Sequence, residues 1–420
     1  MYRKIMGFLE AWKESEHRKP LILQGARQVG KTYSILEFGR THYENVAYFN
    51  FETNPKLNET FEENISPDYL IPILSHIAGQ TIVTEKTLIV FDEVQLCERA
   101  LTSLKYFCEN APDYHIIVAG SLLGVAVNRA KFSFPVGKVD MKTLYPMDME
   151  EFMLALGEDD LVEQIKKCFQ TDTPLPSALH DAAMQLYRQY LVVGGMPECV
   201  MQFAETKDYI LVRHTQDTIL ASYLNDMSKY NNLNEIKKTR LAYDNITVQL
   251  SKKNTRFQYK LIKKGGRASE FENAIEWLCL SGIVSQVYKV EQVKKPLENY
   301  RDIDAFKIYV SDLGLLCAKK ELLANDILYM VKELDDFKGG MAENYVNVQL
   351  SINGYHTYYW ESARGAEIDF VIQREGKLIP IEVKSADNTR AKSLKVYMDT
   401  YEPDYAIKLS AKNFAFEDRK

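Results

Sequence analysis

Residues 21–40, LILQGARQVGKTYSILEFGR, restrict the fold of this chain more than any other stretch. A short apolar run leads into a loop holding Gly25 and Gly30, and a helical run follows from Lys31 and Thr32. These four residues fit G-x-x-x-x-G-K-[ST] in the strand, loop, helix order that a phosphate-binding loop requires. The glycines let the backbone curl, so that successive N–H groups of Gly25, Ala26, Arg27, Gln28, Val29, Gly30, Lys31 and Thr32 can face phosphate oxygens. The helix that follows adds the positive end of its dipole. The spacing predicts a polyphosphate cradle, with Lys31 reaching the β- and γ-phosphates and the Thr32 hydroxyl on Mg²⁺.

Such a cradle needs a carboxylate delivered to the metal from another strand. TLIVFDEVQ, residues 87–95, supplies it: an apolar run typical of a strand buried on both faces ends in Asp92 and Glu93. Asp92 is expected to hold the Mg²⁺ shell, and Glu93 to polarise the attacking water as general base. HIIVAGS, residues 115–121, reads as a further strand ending in Ser121, a candidate contact to the γ-phosphate. Strands are also expected near 46–51 and 139–144, which makes the N-terminal third an α/β domain with a parallel sheet. These motifs resemble those of ATPases of the AAA superfamily, and the resemblance continues through TLYPMDMEEF (143–152) and YLVVGGMPECV (190–200). It implies a P-loop core over 1–145, a small helical lid over 146–205, and ATP rather than GTP, since no guanine-reading N-K-x-D occurs. Relatives carry Gly-Arg where this chain has Gly137 and Lys138, which leaves Arg129, or a neighbouring subunit of a homo-oligomer, to supply an arginine to the γ-phosphate.

At 420 residues the chain is long for one hydrophobic core. Its 46% hydrophobic and 26% charged residues are those of an ordinary soluble globular protein, and its net charge of -6 argues against a uniformly basic nucleic-acid coat. No apolar run approaches the roughly 18 residues that span a bilayer, so the expectation is a cytoplasmic protein with no membrane partner. The six cysteines are dispersed without a C-x-x-C pair, which suggests neither a disulfide framework nor a zinc site, and all six read as small apolar core residues.

From 206 to 325 the pattern is helical and closes on a β-hairpin. Ser269 and Glu272 form an S-x-x-E capping box ahead of a helix through SEFENAIEWLCLSG, and the strands IVSQVYKV and FKIYVSD follow. Helices followed by such a hairpin resemble a winged helix-turn-helix module, and FKIYVSDLGLLCA matches how that module ends in the ATPase family. Residues 251–270, SKKNTRFQYKLIKKGGRASE, hold seven basic residues against one acid, with Phe257 and Tyr259 interleaved. This local excess suits DNA phosphates, and equally suits a solvated helical face.

The last stretch, 326–420, reads as helix, three strands, helix and strand. With REGK as a four-residue loop between EIDFVIQ and LIPIEVKS, Gln373 pairs with Leu378, Asp369 faces Glu382 and Glu367 faces Lys384. Facing carboxylates repel unless a cation joins them. Mg²⁺ or Mn²⁺ suits such oxygen ligands. The element order, and two acids plus a lysine on one sheet face, resemble the PD-(D/E)xK nuclease superfamily. By that resemblance Asp369, Glu382 and Glu343 would bind metal and Lys384 would orient water. Ile368 stands where the leading proline of the signature is absent. The same fold with a catalytically silent tail, in an ATP-gated DNA- or partner-binding regulator, is the alternative. Tyr358, Tyr359 and Trp360 read as core.

Overall fold

A parallel sheet of strand order β2-β3-β4-β1-β5 forms the N-terminal part: β1 Leu21–Gln24, β2 Asn45–Asn50, β3 Thr87–Asp92, β4 His115–Gly120 and β5 Asp140–Thr143. The structure, a computed structural model, describes residues 1–120, 134–229, 233–250, 256–384 and 392–417. β3 and β4 are buried at every position, which is why their sequences are unbroken apolar runs rather than alternating ones. One face of the sheet packs a set of rings, with Phe61 at 5.5 Å from Phe91 and 5.6 Å from Phe51 between centroids. Because the strands run parallel, the C-terminal ends of β1 and β3 lie on the same sheet edge. Ligands of open α/β sheets bind at that edge. The chain divides into two compact units, one of Tyr2–Tyr145 with Leu280–Gly282, the other of Pro146–Cys279 and Ile283–Lys420 with Met1.

The second unit begins with helices Met149–Ala155, Asp159–Gln170, Ser177–Val193 and Pro197–Thr206, and continues through Tyr209–Lys229, Leu233–Leu250 and Ala268–Leu280. The last of these opens at Ala268, which places Ser269 inside the helix and not at its cap. A six-stranded sheet of order β11-β10-β9-β8-β6-β7 follows, made from β6 Val284–Val290, β7 Arg301–Val310, β8 Thr357–Glu361, β9 Glu367–Arg374, β10 Lys377–Val383 and β11 Ile407–Leu409. Here the structure departs from the expected layout. The β6–β7 hairpin is not a free wing: β6 pairs in parallel with β8 through Tyr288–Tyr358 and Val290–Trp360, so 206–325 and 326–420 share one sheet. An exposed strand edge pairs its backbone N–H and C=O groups with whichever strand edge is available, and β8 supplies that edge to β6. Tyr358, Tyr359 and Trp360 are buried, as expected of core residues. Of the cysteines, Cys97, Cys199 and Cys317 are buried, whereas Cys108, Cys168 and Cys279 are only partly so.

The loop between β9 and β10 is shorter than expected. Arg374 pairs with Lys377, leaving Glu375 (φ 49°) and Gly376 (φ 76°) as a two-residue turn, the left-handed geometry that tight hairpins favour. Trimming one residue from each side keeps the register, so Gln373 still pairs with Leu378.

Within the same unit, Asp312 caps helix Leu313–Lys319 by accepting the Leu315 N–H at 2.8 Å and also accepts the Gly195 N–H at 2.6 Å. A Cβ on Gly195 would meet the Met147 carbonyl oxygen at 2.1 Å, and one on Gly314 the Val193 carbonyl oxygen at 2.3 Å. VVGGMP and SDLG are thus pressed backbone to backbone around one buried carboxylate. Among the described residues no helix is long and apolar enough to cross a membrane.

Candidate nucleotide site and a charged cluster in the C-terminal sheet

The loop between β1 and helix Lys31–His42 has the backbone its sequence demands. Gly25 has φ 150° and Gly30, at the helix N-cap, φ 89°, both in the range that side chains resist. A Cβ on Gly25 would also lie 2.1 Å from the Leu144 carbonyl oxygen. The Lys31 ammonium, nearly buried, donates to the carbonyls of Gly25 at 2.9 Å and Ala26 at 2.7 Å, bending back over the loop. The Thr32 hydroxyl donates to Asp92 Oδ2 at 2.8 Å, which joins the loop to β3. One hydroxyl and one carboxylate suit an ion that keeps its waters and takes phosphate oxygens, as Mg²⁺ does.

Two polar partners escaped the sequence reading. Tyr48 on β2 donates to the same Asp92 Oδ2 at 2.7 Å, and Asn50 donates to the Tyr48 oxygen at 3.2 Å. Burial, with Asp92 alongside, pushes the Tyr48 phenol up to about 12, so it stays a donor. Gln95 donates to Glu93 Oε2, and Glu93 itself adopts φ 53°. Burial raises the Glu93 carboxyl above the ordinary carboxylate range, with neighbouring Asp92 adding to the rise. Tyr48 stands two residues before Asn50 on a β-strand, so alternation could have placed both on one face, but nothing local tied them to β3. Ser121 and Arg129 lie outside the described residues; Lys138 pairs with Glu109 at 3.0 Å.

The C-terminal charges converge, but around a residue the sequence reading left out. Lys307 of β7, 2% exposed, places its ammonium 2.6 Å from Glu367, 3.5 Å from Glu343 and 4.0 Å from Asp369. Along the sheet β7 is three strands from β9. Bulges at Tyr288/Lys289 and Tyr358/Trp360 sharpen the coil, and Tyr309 of β7 comes within 5.7 Å of Phe370 of β9. Burial alone would lower the Lys307 ammonium, yet Tyr309, Glu343, Glu367 and Asp369 hold it well above the usual lysine range. Tyr309 donates to Glu343 at 3.0 Å, and the Val383 N–H donates to Asp369 Oδ2 at 2.7 Å. Burial first, then Glu343, raises the Asp369 carboxyl well above its ordinary range. Lys384 pairs with Glu382 at 2.5 Å, so Glu367 finds Lys307 where Lys384 was expected. Glu382 is buried, and its Oε2 has no partner among the described residues.

The expected metal set of Glu343, Asp369 and Glu382 is therefore not gathered around an empty centre. Among the described residues no group of three or more His, Cys, Asp or Glu is disposed to hold a metal ion. The donor set does not fit a divalent ion, because a lysine ammonium already stands against its carboxylates.

In the basic segment, Arg256, Lys260, Lys263, Lys264 and Arg267 are exposed, and Lys263 pairs with Glu270 at 3.0 Å. Lys252 and Lys253 lie outside the described residues. Phe257 is buried and stacked on Phe306, with centroids 5.7 Å apart, which makes it core and not a platform for bases.

Residues 17–153, which carry the loop, the β3 carboxylates and the parallel sheet, match the AAA domain family. Beyond it, 184–326 match a domain of unknown function, DUF8612, and 338–420 another, DUF4143. No curated protein matches the chain. Among solved structures, the Aeropyrum pernix ORC2 protein is similar at 12% identity and TM-score 0.39, over 78% of this chain and 95% of that one. The Thermotoga maritima RuvB Holliday junction branch migration motor is similar at 13% identity and TM-score 0.30, over 67% and 87%. C. elegans PCH-2 is similar at 10% identity and TM-score 0.29, over 49% of this chain and 63% of its own.

Proposed function

We propose that the chain is an ATP-hydrolysing switch that engages DNA, with a C-terminal sheet that does not itself cleave it. The observation that carries the ATPase reading is the convergence of Lys31, Thr32, Asp92 and Glu93 on one edge of the parallel sheet. Backbone N–H groups of 25–32 and the Lys31 ammonium bind the phosphates of ATP, with Lys31 exchanging its two carbonyl acceptors for phosphate oxygens. Thr32 and Asp92 would hold Mg²⁺, which would supply neutralisation of phosphate charge. Glu93 takes the proton of the attacking water, and Gln95 fixes its orientation meanwhile.

A base must be ionised to work. Since burial raises the Glu93 carboxyl, turnover is expected to fall on acidification at a higher pH than an exposed glutamate would give. A pH–rate profile of phosphate release with saturating ATP measures this, and an acid limb at or below the ordinary glutamate value would remove Glu93 as base.

DNA as partner is supported by the exposed lysines and arginines of 256–267 in an otherwise acidic chain. A second reading, metal-dependent phosphodiester cleavage by the tail, is favoured by the buried Glu382 Oε2, which has no partner among the described residues. One assay separates them. Supercoiled plasmid with Mg²⁺ or Mn²⁺ should be retarded in a strongly salt-dependent way and should show no nicking beyond that of Asp369→Ala and Lys384→Ala. Nicking that requires metal and disappears in both variants would establish the second reading.

A further inference from the structure

We infer that Lys307 is a resident cation that stands in the C-terminal cluster where a divalent metal would otherwise bind, and that the cluster is metal-free because of it. The inference is independent of the ATPase reading, since it concerns other residues in the other unit.

Lys307 is 2% exposed, so its ammonium cannot swing out to water without opening the sheet. It contacts Glu367 and Glu343 and faces Asp369, and the Tyr359 ring lies 5.1 Å from its Nζ. A second cation bound to Asp369 or Glu343 would sit within about 4–6 Å of this ammonium and be repelled by it. One oxygen of each carboxylate is also engaged: Asp369 Oδ2 by the Val383 N–H, Glu343 Oε2 by the Tyr309 hydroxyl and Lys307, Glu367 Oε1 by the Lys307 ammonium, and Glu382 Oε1 by Lys384, while Glu382 Oε2 has no partner among the described residues. The contacts of the ammonium join β7, β9 and helix Asp335–Ile352, so it also ties the hairpin to the strand and the helix that carry these acids.

Removing the ammonium should therefore create a metal site. The full-length protein without nucleotide is titrated with Mn²⁺, and bound ion is counted by electron paramagnetic resonance. Wild type and Asp369→Asn are expected to bind the same number of ions. Lys307→Ala is expected to gain one Mn²⁺ per chain, the gain being absent in Lys307→Ala/Asp369→Asn, and its melting temperature should rise on adding Mn²⁺ while that of wild type does not. A wild-type Mn²⁺ site that Asp369→Asn removes would overturn the inference. So would a Lys307→Ala protein that is folded by circular dichroism yet gains no ion. Should Lys307→Ala fail to fold even with Mn²⁺, the wild-type and Asp369→Asn stoichiometries decide alone, equality upholding the inference and inequality overturning it. Binding of a fluorescent ATP analogue, followed in parallel, reports the N-terminal unit and keeps a failure there distinct.

Discussion

Replacing Glu93 with Gln is expected to slow ATP turnover by about 10²–10⁴-fold while ATP affinity changes little. The carboxamide has nearly the same shape and can still accept from Gln95, so the turn at φ 53° and the Asp92 contact to the Glu93 N–H survive. It cannot take a proton from water. Phosphate release measures the first quantity and equilibrium binding of labelled ATP the second; turnover within a few-fold of wild type would leave the chain without its proposed base. The effect is separable from loss of the cradle, because Lys31 and Thr32 contact other atoms.

Asp312→Ala is the most damaging substitution expected outside the nucleotide site. Its carboxylate is fully buried and receives backbone N–H groups from Leu315, Gly195, Gly314 and Met196, whose pull opposes the burial that pushes it up to about 6. Truncation leaves at least the Leu315 and Gly195 donors buried and unmet, at about 1–3 kcal/mol each. A fall in melting temperature on the order of 10 °C follows for a unit of this size. Asp312→Asn, which keeps one acceptor oxygen, should lose less. Thermal denaturation by circular dichroism checks both, and an unchanged midpoint for the alanine variant would show the carboxylate to be dispensable.

Much of this architecture was legible in the residues because the physics is local there. β1, β3 and β4 announce themselves as apolar runs buried on both faces, and the cradle is encoded by glycines whose φ angles few other residues tolerate. Asp369 and Glu382 lie at the positions that extend the Phe370–Ile381 pairing, as the hairpin register required. Lys307 was hidden for the opposite reason. In FKIYV it alternates with apolar neighbours and looks solvent-facing, and its partners come from β9 and from helix Asp335–Ile352, elements that strand periodicity cannot bring to it. Tyr48 and Gln95 escaped similarly, since their value depends on an acid from another strand or on a backbone turn. The hairpin joined β8 because alternation tells which face is greasy, not which edge it meets.

The parallel pairing of β6 with β8 crosses the border between the segments matching the two domains of unknown function, 184–326 and 338–420. Neither segment can be lifted out without tearing a backbone seam and baring a raw flank. Each half is the other's missing margin, so the two are expected to melt as one.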